Sequence, residues 1–215
     1  LVMDDGWFGG RVNDKIGLGD WYANPNRFKN GLASFVKGIK NKGIKFGIWI
    51  EPEMVNPDSD LYRAHPEWCL QTKGRKPYLS RNQLVLDMGN PAVLKYLKES
   101  FSKVFDGVEI DYIKWDYNRN IADAASCYLP KNRQDEVYFQ NMLGVYALYE
   151  WFVKKFPNVM IENCSGGGGR YDLGMMKYSS MIWTSDNTDA GERIFIQNGA
   201  TLAYPASVMS CHVSK

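Results

Sequence analysis

The chain reads as short apolar runs, each breaking off in a polar cluster, with stretches of helical spacing between them. Leu1-Val2-Met3 leads into Asp4-Asp5-Gly6-Trp7-Phe8, a strand whose end carries two adjacent carboxylates and a glycine turn. Residues 11–30 are rich in Gly, Asn, Asp and aromatics and predict a long loop. Leu32, Phe35, Val36 and Ile39 then keep the i, i+3, i+4, i+7 spacing of one buried helical face, with Gly43 beyond the helix end. Residues 44–50 predict a second strand, stopped at Glu51-Pro52-Glu53 where proline blocks further ladder pairing.

A long polar connection over residues 56–81 leads to a predicted third strand, Gln83 to Asp87. Asn90 as cap and Pro91 at the first position open a helix with Val93, Leu94, Leu97, Phe101 and Val104 inward, and Gly107 ends it. Val108 to Arg119 is the fourth strand, apolar at first and then charged at Lys114, Asp116 and Arg119. A helix over about 134–156 is followed by a fifth strand, Val159 to Ile161, and a glycine run, Gly166 to Gly169. Met181 to Thr184 is the sixth strand, and a helix through Ile194 and Ile196 to Gly199 precedes a seventh, Thr201 to Tyr204. Strands alternating with helices predict a parallel sheet, and polar clusters ending at least five strands suit a (β/α)8 TIM barrel better than a doubly wound sheet. Strands one to seven are then present and the eighth is missing. The chain is therefore expected to be a partial catalytic-barrel domain of a longer protein, with further domains on either side.

Composition narrows the partner. A net charge of +2 without long runs of one sign argues against nucleic-acid or membrane-surface binding through bulk charge, and leaves a small neutral partner. Cys69, Cys127, Cys164 and Cys211 are scattered, and His65 and His212 are the only histidines, so neither a disulfide scaffold nor a zinc site is expected. The glycine run lacks a following Lys-Ser/Thr, which argues against a phosphate loop. No targeting segment is visible; a cytoplasmic location is favoured.

The strand ends collect Asp4, Asp5, Glu51, Asp116, Asp186 and Asp189, the cations Arg81, Lys114 and Arg119, and Trp7, Trp49, Trp115 and Trp183. Lys114 and Asp116 lie two residues apart and so on one side of their strand, where the cation favours the ionised carboxyl, although a plain strand-end ion pair has the same pattern. Carboxylates, cations and indoles together suit a sugar: hydroxyls need donors and acceptors, C–H faces pack on indole, and glycoside cleavage uses two carboxyl groups. A metal-dependent barrel hydrolase and a noncatalytic sugar-binding module are the alternatives.

Lys114-Trp115-Asp116-Tyr117-Asn118-Arg119, Cys164-Ser165-Gly166-Gly167-Gly168-Gly169-Arg170 and Trp183-Thr184-Ser185-Asp186-Asn187-Thr188-Asp189 resemble the signatures of glycoside hydrolase family 36 α-galactosidases. Asp4-Asp5-Gly6-Trp7 and Trp49-Ile50-Glu51-Pro52-Glu53 match further blocks, so the resemblance covers nearly the whole chain. It implies a retaining double displacement on terminal α-galactosides such as melibiose and raffinose-type oligosaccharides, without metal or cofactor, in a homo-oligomeric full-length enzyme. By the same resemblance Asp116 is the nucleophile and Asp186 the acid/base, with Asp189 in the same loop as its competitor. Asp4 and Asp5 would hold the O4 and O6 side of galactose, Lys114 and Arg81 would donate to ring hydroxyls, Trp49 would wall the sugar, and Cys164 and Gly167 would border O2. Galactosyl transfer and cleavage of α-N-acetylgalactosaminides are the variants within the family. Glu51 and Glu53 read as structural.

Overall fold

In the computed structural model, which describes residues 1–212, six parallel strands form one sheet, with helices in the connections between them. The strands are β1 (Val2–Met3), β2 (Gly47–Ile50), β5 (Tyr112–Trp115), β6 (Met160–Asn163), β7 (Met181–Trp183) and β8 (Met209–Ser210), in that spatial order. The intervening elements are α1 (Leu32–Lys40), the pair β3 (Met54–Val55) and β4 (Leu84–Val85), α2 (Asp60–Ala64), α3 (Pro91–Phe105), α4 (Val137–Lys155), α5 (Leu173–Met176) and α6 (Ala190–Ala203).

Strand register explains why the charges and the core separate. Ile48, Ile113 and Ile161 are aligned neighbours, as are Ile50, Trp115, Asn163 and Ile182 along the next row, and all are buried. This row packs under α4: Trp115 stacks on Tyr149 with centroids 3.8 Å apart, and the Tyr149 hydroxyl donates to Asn163 Oδ1. The alternate positions, Trp49, Lys114 and Glu162, share the opposite face. The sheet curves so far that residues of both edge strands, Val2 and Ser210, line one cavity with Tyr112, Lys114 and Glu162.

The predicted helices form where capping and spacing place them. Asn90 Oδ1 accepts the Ala92 N–H, Pro91 opens α3, and Val93, Leu97 and Phe101 are buried. Gly144 brings α4 against the Met88 carbonyl, where a Cβ would collide. Of the apolar face of α1, Leu32 and Val36 are buried but Phe35 is exposed.

Two predicted strands are corrected, and the sheet has six strands instead of seven. The segment Gln83 to Asp87 contributes only Leu84–Val85, which pairs antiparallel with Met54–Val55 outside the main sheet. Its apolar residues are as buried as a stave would require, but the turn at Pro52 folds β3 back to meet it. Thr201 to Tyr204 is not a strand, because α6 runs through Gly199 to Ala203 and stops before Pro205. The last strand follows instead at Met209–Ser210, in parallel with β7.

Candidate active site

Asp116 follows the last residue of β5, and its N–H donates to the Ile50 carbonyl at 2.8 Å, so the ladder itself fixes where its carboxylate leaves the sheet. The side chain is buried and accepts three N–H groups. Trp49 Nε1 donates to Oδ2 at 3.0 Å, Asn118 Nδ2 to Oδ2 at 2.6 Å, and the Tyr117 backbone N–H to Oδ1 at 2.9 Å. Of these N–H groups two fall on Oδ2 and one on Oδ1, and the Cys164 thiol is a further hydrogen-bond partner of the carboxylate.

Lys114, on the same side of β5, reaches Asp4 at 3.7 Å and lies 5.3 Å over the Trp183 ring. Burial pulls its ammonium pKa down, but Asp4, Cys164, Asp116 and Glu162 outweigh that and raise it, so Lys114 stays a cation. Asp5 is clamped by Arg11, whose Nε and Nη2 donate to its two oxygens at 2.8 and 2.7 Å. Asp4, Asp5, Trp49, Arg81, Gln83 and Asp116 line one cavity of about 160 Å³. Arg81 is exposed and has a left-handed backbone, φ 53°.

Just beyond β6, the Cys164 N–H donates to the Trp115 carbonyl, and burial, reinforced by Asp116, pushes its thiol far up, so it is a neutral thiol and no nucleophile. Gly167, at φ +90°, lies against the backbone of the next loop, where a Cβ would sit 3.1 Å from Ser185 Cα and 3.2 Å from the Asp186 nitrogen. Asp186 is exposed beyond β7, and Trp183 Nε1 donates to its Oδ1 at 2.8 Å. Asp189 instead accepts the Gly191 and Glu192 N–H groups as the cap of α6. Arg193 of α6, buried, donates to the carbonyls of Ser185, Asn187 and Ser210 and holds this loop to β8.

Several residues in the predicted mouth have other places. Trp7 and Trp115 are in the apolar core. Arg119 is buried and donates to the carbonyls of Tyr78, Gln83 and Asn120, anchoring loops. Glu53 is buried in a bidentate pair with Arg170 and accepts Trp115 Nε1. Glu51 is buried as well; burial, then the Asp116 charge, pushes its carboxyl up to about 8. Arg11 and Glu162 were not singled out: Arg11 sits in a loop whose sequence has no period, and Glu162 shows its face only through pairing with Lys114. Among the described residues no group of His, Cys, Asp and Glu side chains could hold a metal ion, and no helix is long and apolar enough to cross a membrane.

The family described as Melibiase matches residues 1–215. Alpha-galactosidase 1 of Pediococcus pentosaceus is 49% identical over 214 residues, which cover all of this chain and 29% of the relative. Alpha-galactosidase AgaA of Geobacillus stearothermophilus is 47% identical over 214 residues, again 100% of this chain and 29% of the relative. The crystal structure of that enzyme, described as a GH36 alpha-galactosidase, superposes with a TM-score of 0.96 and covers all of this chain and 30% of its own. Variants of it in complex with raffinose and with stachyose superpose with TM-scores of 0.97 and 0.96, each at 47% identity and with the same coverage. The raffinose complex carries an Asp-to-Asn substitution and the stachyose complex an Asp-to-Ala substitution 70 residues earlier. This chain spans about 30% of the length of the relatives it matches.

Proposed function

The chain belongs to the melibiase family, and on that premise we propose that it carries the reacting centre of a longer α-galactosidase, which cleaves terminal α-galactosyl groups from raffinose-type oligosaccharides with retention of configuration. The chain forms part of a (β/α)8 barrel whose remaining strands and flanking domains lie outside it. Six parallel strands in order, with both edges facing one cavity, support that architecture.

The observation that carries the chemistry is the Asp116 carboxylate, held by three N–H donors at the end of a central strand, two of them on Oδ2 and one on Oδ1. Oδ1 attacks the anomeric carbon, and the glycosidic oxygen leaves with the Asp186 proton, so a β-galactosyl ester forms on Asp116. Asp186, now a base, takes a proton from water, whose oxygen displaces Asp116 and restores the α configuration. The two substituted aspartates in the oligosaccharide complexes of the Geobacillus enzyme lie at the same 70-residue interval as Asp116 and Asp186, which supports this pairing. Asp189 is engaged by two backbone N–H groups as a helix cap, whereas Asp186 accepts one donor, Trp183 Nε1, which favours Asp186 as the proton carrier of that loop.

Substrate is held by the groups that line the mouth. Asp4 and Asp5 accept from the O4 and O6 hydroxyls, with Arg11 setting the plane of Asp5. Lys114 and Arg81 donate to ring hydroxyls, Trp49 walls the sugar, and Cys164 and Gly167 border O2. Asp116→Ala in the full-length protein is expected to abolish turnover of an aryl α-galactoside, with azide restoring part of it as β-galactosyl azide. Wild-type turnover by Asp116→Ala without azide would remove Asp116 as nucleophile.

A further inference from the structure

Glu51 is 1% exposed, and among the described residues no cation pairs with it: Arg170 is spent on Glu53 and Arg119 on backbone carbonyls. Its oxygens instead accept two neutral donors, the Asn118 backbone N–H at 2.7 Å on Oε1 and Gln83 Nε2 at 2.8 Å on Oε2. The Asn118 side chain in turn donates to Asp116 Oδ2 at 2.6 Å. Glu51 and Trp49 leave the end of β2 on the same side, two residues apart, and both lead to that one oxygen, Trp49 directly and Glu51 through Asn118.

Resting on the assignment of Asp116 as nucleophile, we propose that Glu51 is a positioning residue: by holding the Asn118 backbone it fixes the amide that pins Asp116 Oδ2 and leaves Oδ1 facing the anomeric carbon. The shift of its carboxyl to about 8 fits this placement, because a neutral acid at pH 7 stands beside Asp116 without repelling it. The other charged groups lining the cavity are Asp4, Asp5, Arg11, Asp14 and Arg81, and none is within ion-pair distance of Glu51 among the described residues. Without Glu51 the Asn118 peptide is free to turn, and a displaced nucleophile loses on the order of tenfold to a hundredfold in rate.

The test uses the full-length enzyme in two backgrounds. With Asp116 present, Glu51→Ala is expected to lower kcat for an aryl α-galactoside at least about tenfold with KM changed less than about threefold. Glu51→Gln, which keeps an oxygen for the Asn118 N–H, is expected to restore part of that loss. In the Asp116→Ala background, where azide and not Asp116 attacks, Glu51→Ala is expected to leave the azide-rescued rate where it was. A kcat unchanged by Glu51→Ala overturns the assignment, and so does an azide-rescued rate that falls with Glu51→Ala, since that marks general loss of structure. No azide rescue in Asp116→Ala alone removes Asp116 as nucleophile and the Glu51 assignment with it, whereas rescue that falls only with Glu51→Ala leaves Asp116 standing.

Discussion

The indole N–H of Trp49 donates to Asp116 Oδ2 at 3.0 Å, so the residue proposed to wall the sugar also binds the carboxylate proposed as nucleophile. The two come from adjacent parallel strands, where Ile50 pairs with Trp115 and Trp49 with Lys114, and neither strand alone could set the contact. Trp49→Phe keeps an aromatic wall and deletes the donor. A hydrogen bond to a charged group is worth about 1.5–3 kcal/mol, so kcat/KM for an aryl α-galactoside should fall about tenfold to a hundredfold. A fall confined to KM would mean that Trp49 only packs against the substrate.

Asp186 and Asp189 separate by leaving group. Asp186→Ala should cost about a hundredfold or more on raffinose, whose leaving sugar needs a proton, and much less on an aryl galactoside with an acidic phenol. Asp189→Ala removes the α6 cap and should cost about 1 kcal/mol of stability, read as a lower Tm, without that dependence on leaving group. The reverse pattern would move the acid/base to Asp189.

Glu51 makes stability depend on pH with a definite sign. Its carboxyl is raised from 4.5 to about 8 on folding, so between those values the folded protein holds a proton that the unfolded chain has released. Stability from this group is fully present below about 4.5 and drains as pH rises through about 8, at up to about 1.4 kcal/mol per pH unit. Glu51→Gln lacks the titration. Its Tm relative to the parent should climb from pH 5 to pH 8, and a constant difference across that range would show that Glu51 is not protonated when folded.

Glu53 and Arg170 join β2's end to the glycine-rich loop by a buried bidentate pair. Removing either partner strands the other charge, so Glu53→Ala or Arg170→Ala should each destabilise by about 3–5 kcal/mol, and a Glu53→Leu, Arg170→Met double variant by less than either. Denaturant unfolding of the full-length protein measures this, and additive losses would refute the coupling.

Gly167→Ala places a methyl at φ +90° against the Ser185–Asp186 backbone. The Asp186 loop must shift, and the loss should resemble that of Asp186→Ala in its dependence on leaving group. Equal loss on raffinose and on an aryl galactoside would place the effect elsewhere.

The sequence by itself determined the α/β class, the helices and the strand ends, because each is written in local terms. Asn90-Pro91 caps and opens α3 whatever the rest does, and apolar residues at helical spacing bury one face. Clusters such as Lys114-x-Asp116 could be read as functional because strand period alone puts their side chains on one face, and the family signatures in those clusters carried the roles further. Tertiary structure decided what depends on pairing partners. Leu84–Val85 is apolar enough for the main sheet, yet pairs with Met54–Val55 because the turn at Pro52 presents that edge first. Thr201 to Ala203 stays helical because Gly199 inside a helix costs only about 1 kcal/mol and the helix runs on to Pro205. The same holds inside the site: Trp7, Trp49 and Trp115 are all buried in the core, but Trp49 turns its indole N–H to Asp116 while Trp183 lies under Lys114, and Glu51 is linked to Asp116 through Asn118. Residue type sets what a side chain can bond, but which partner it meets is set by register between strands dozens of residues apart, and no local pattern in the chain encodes that distance.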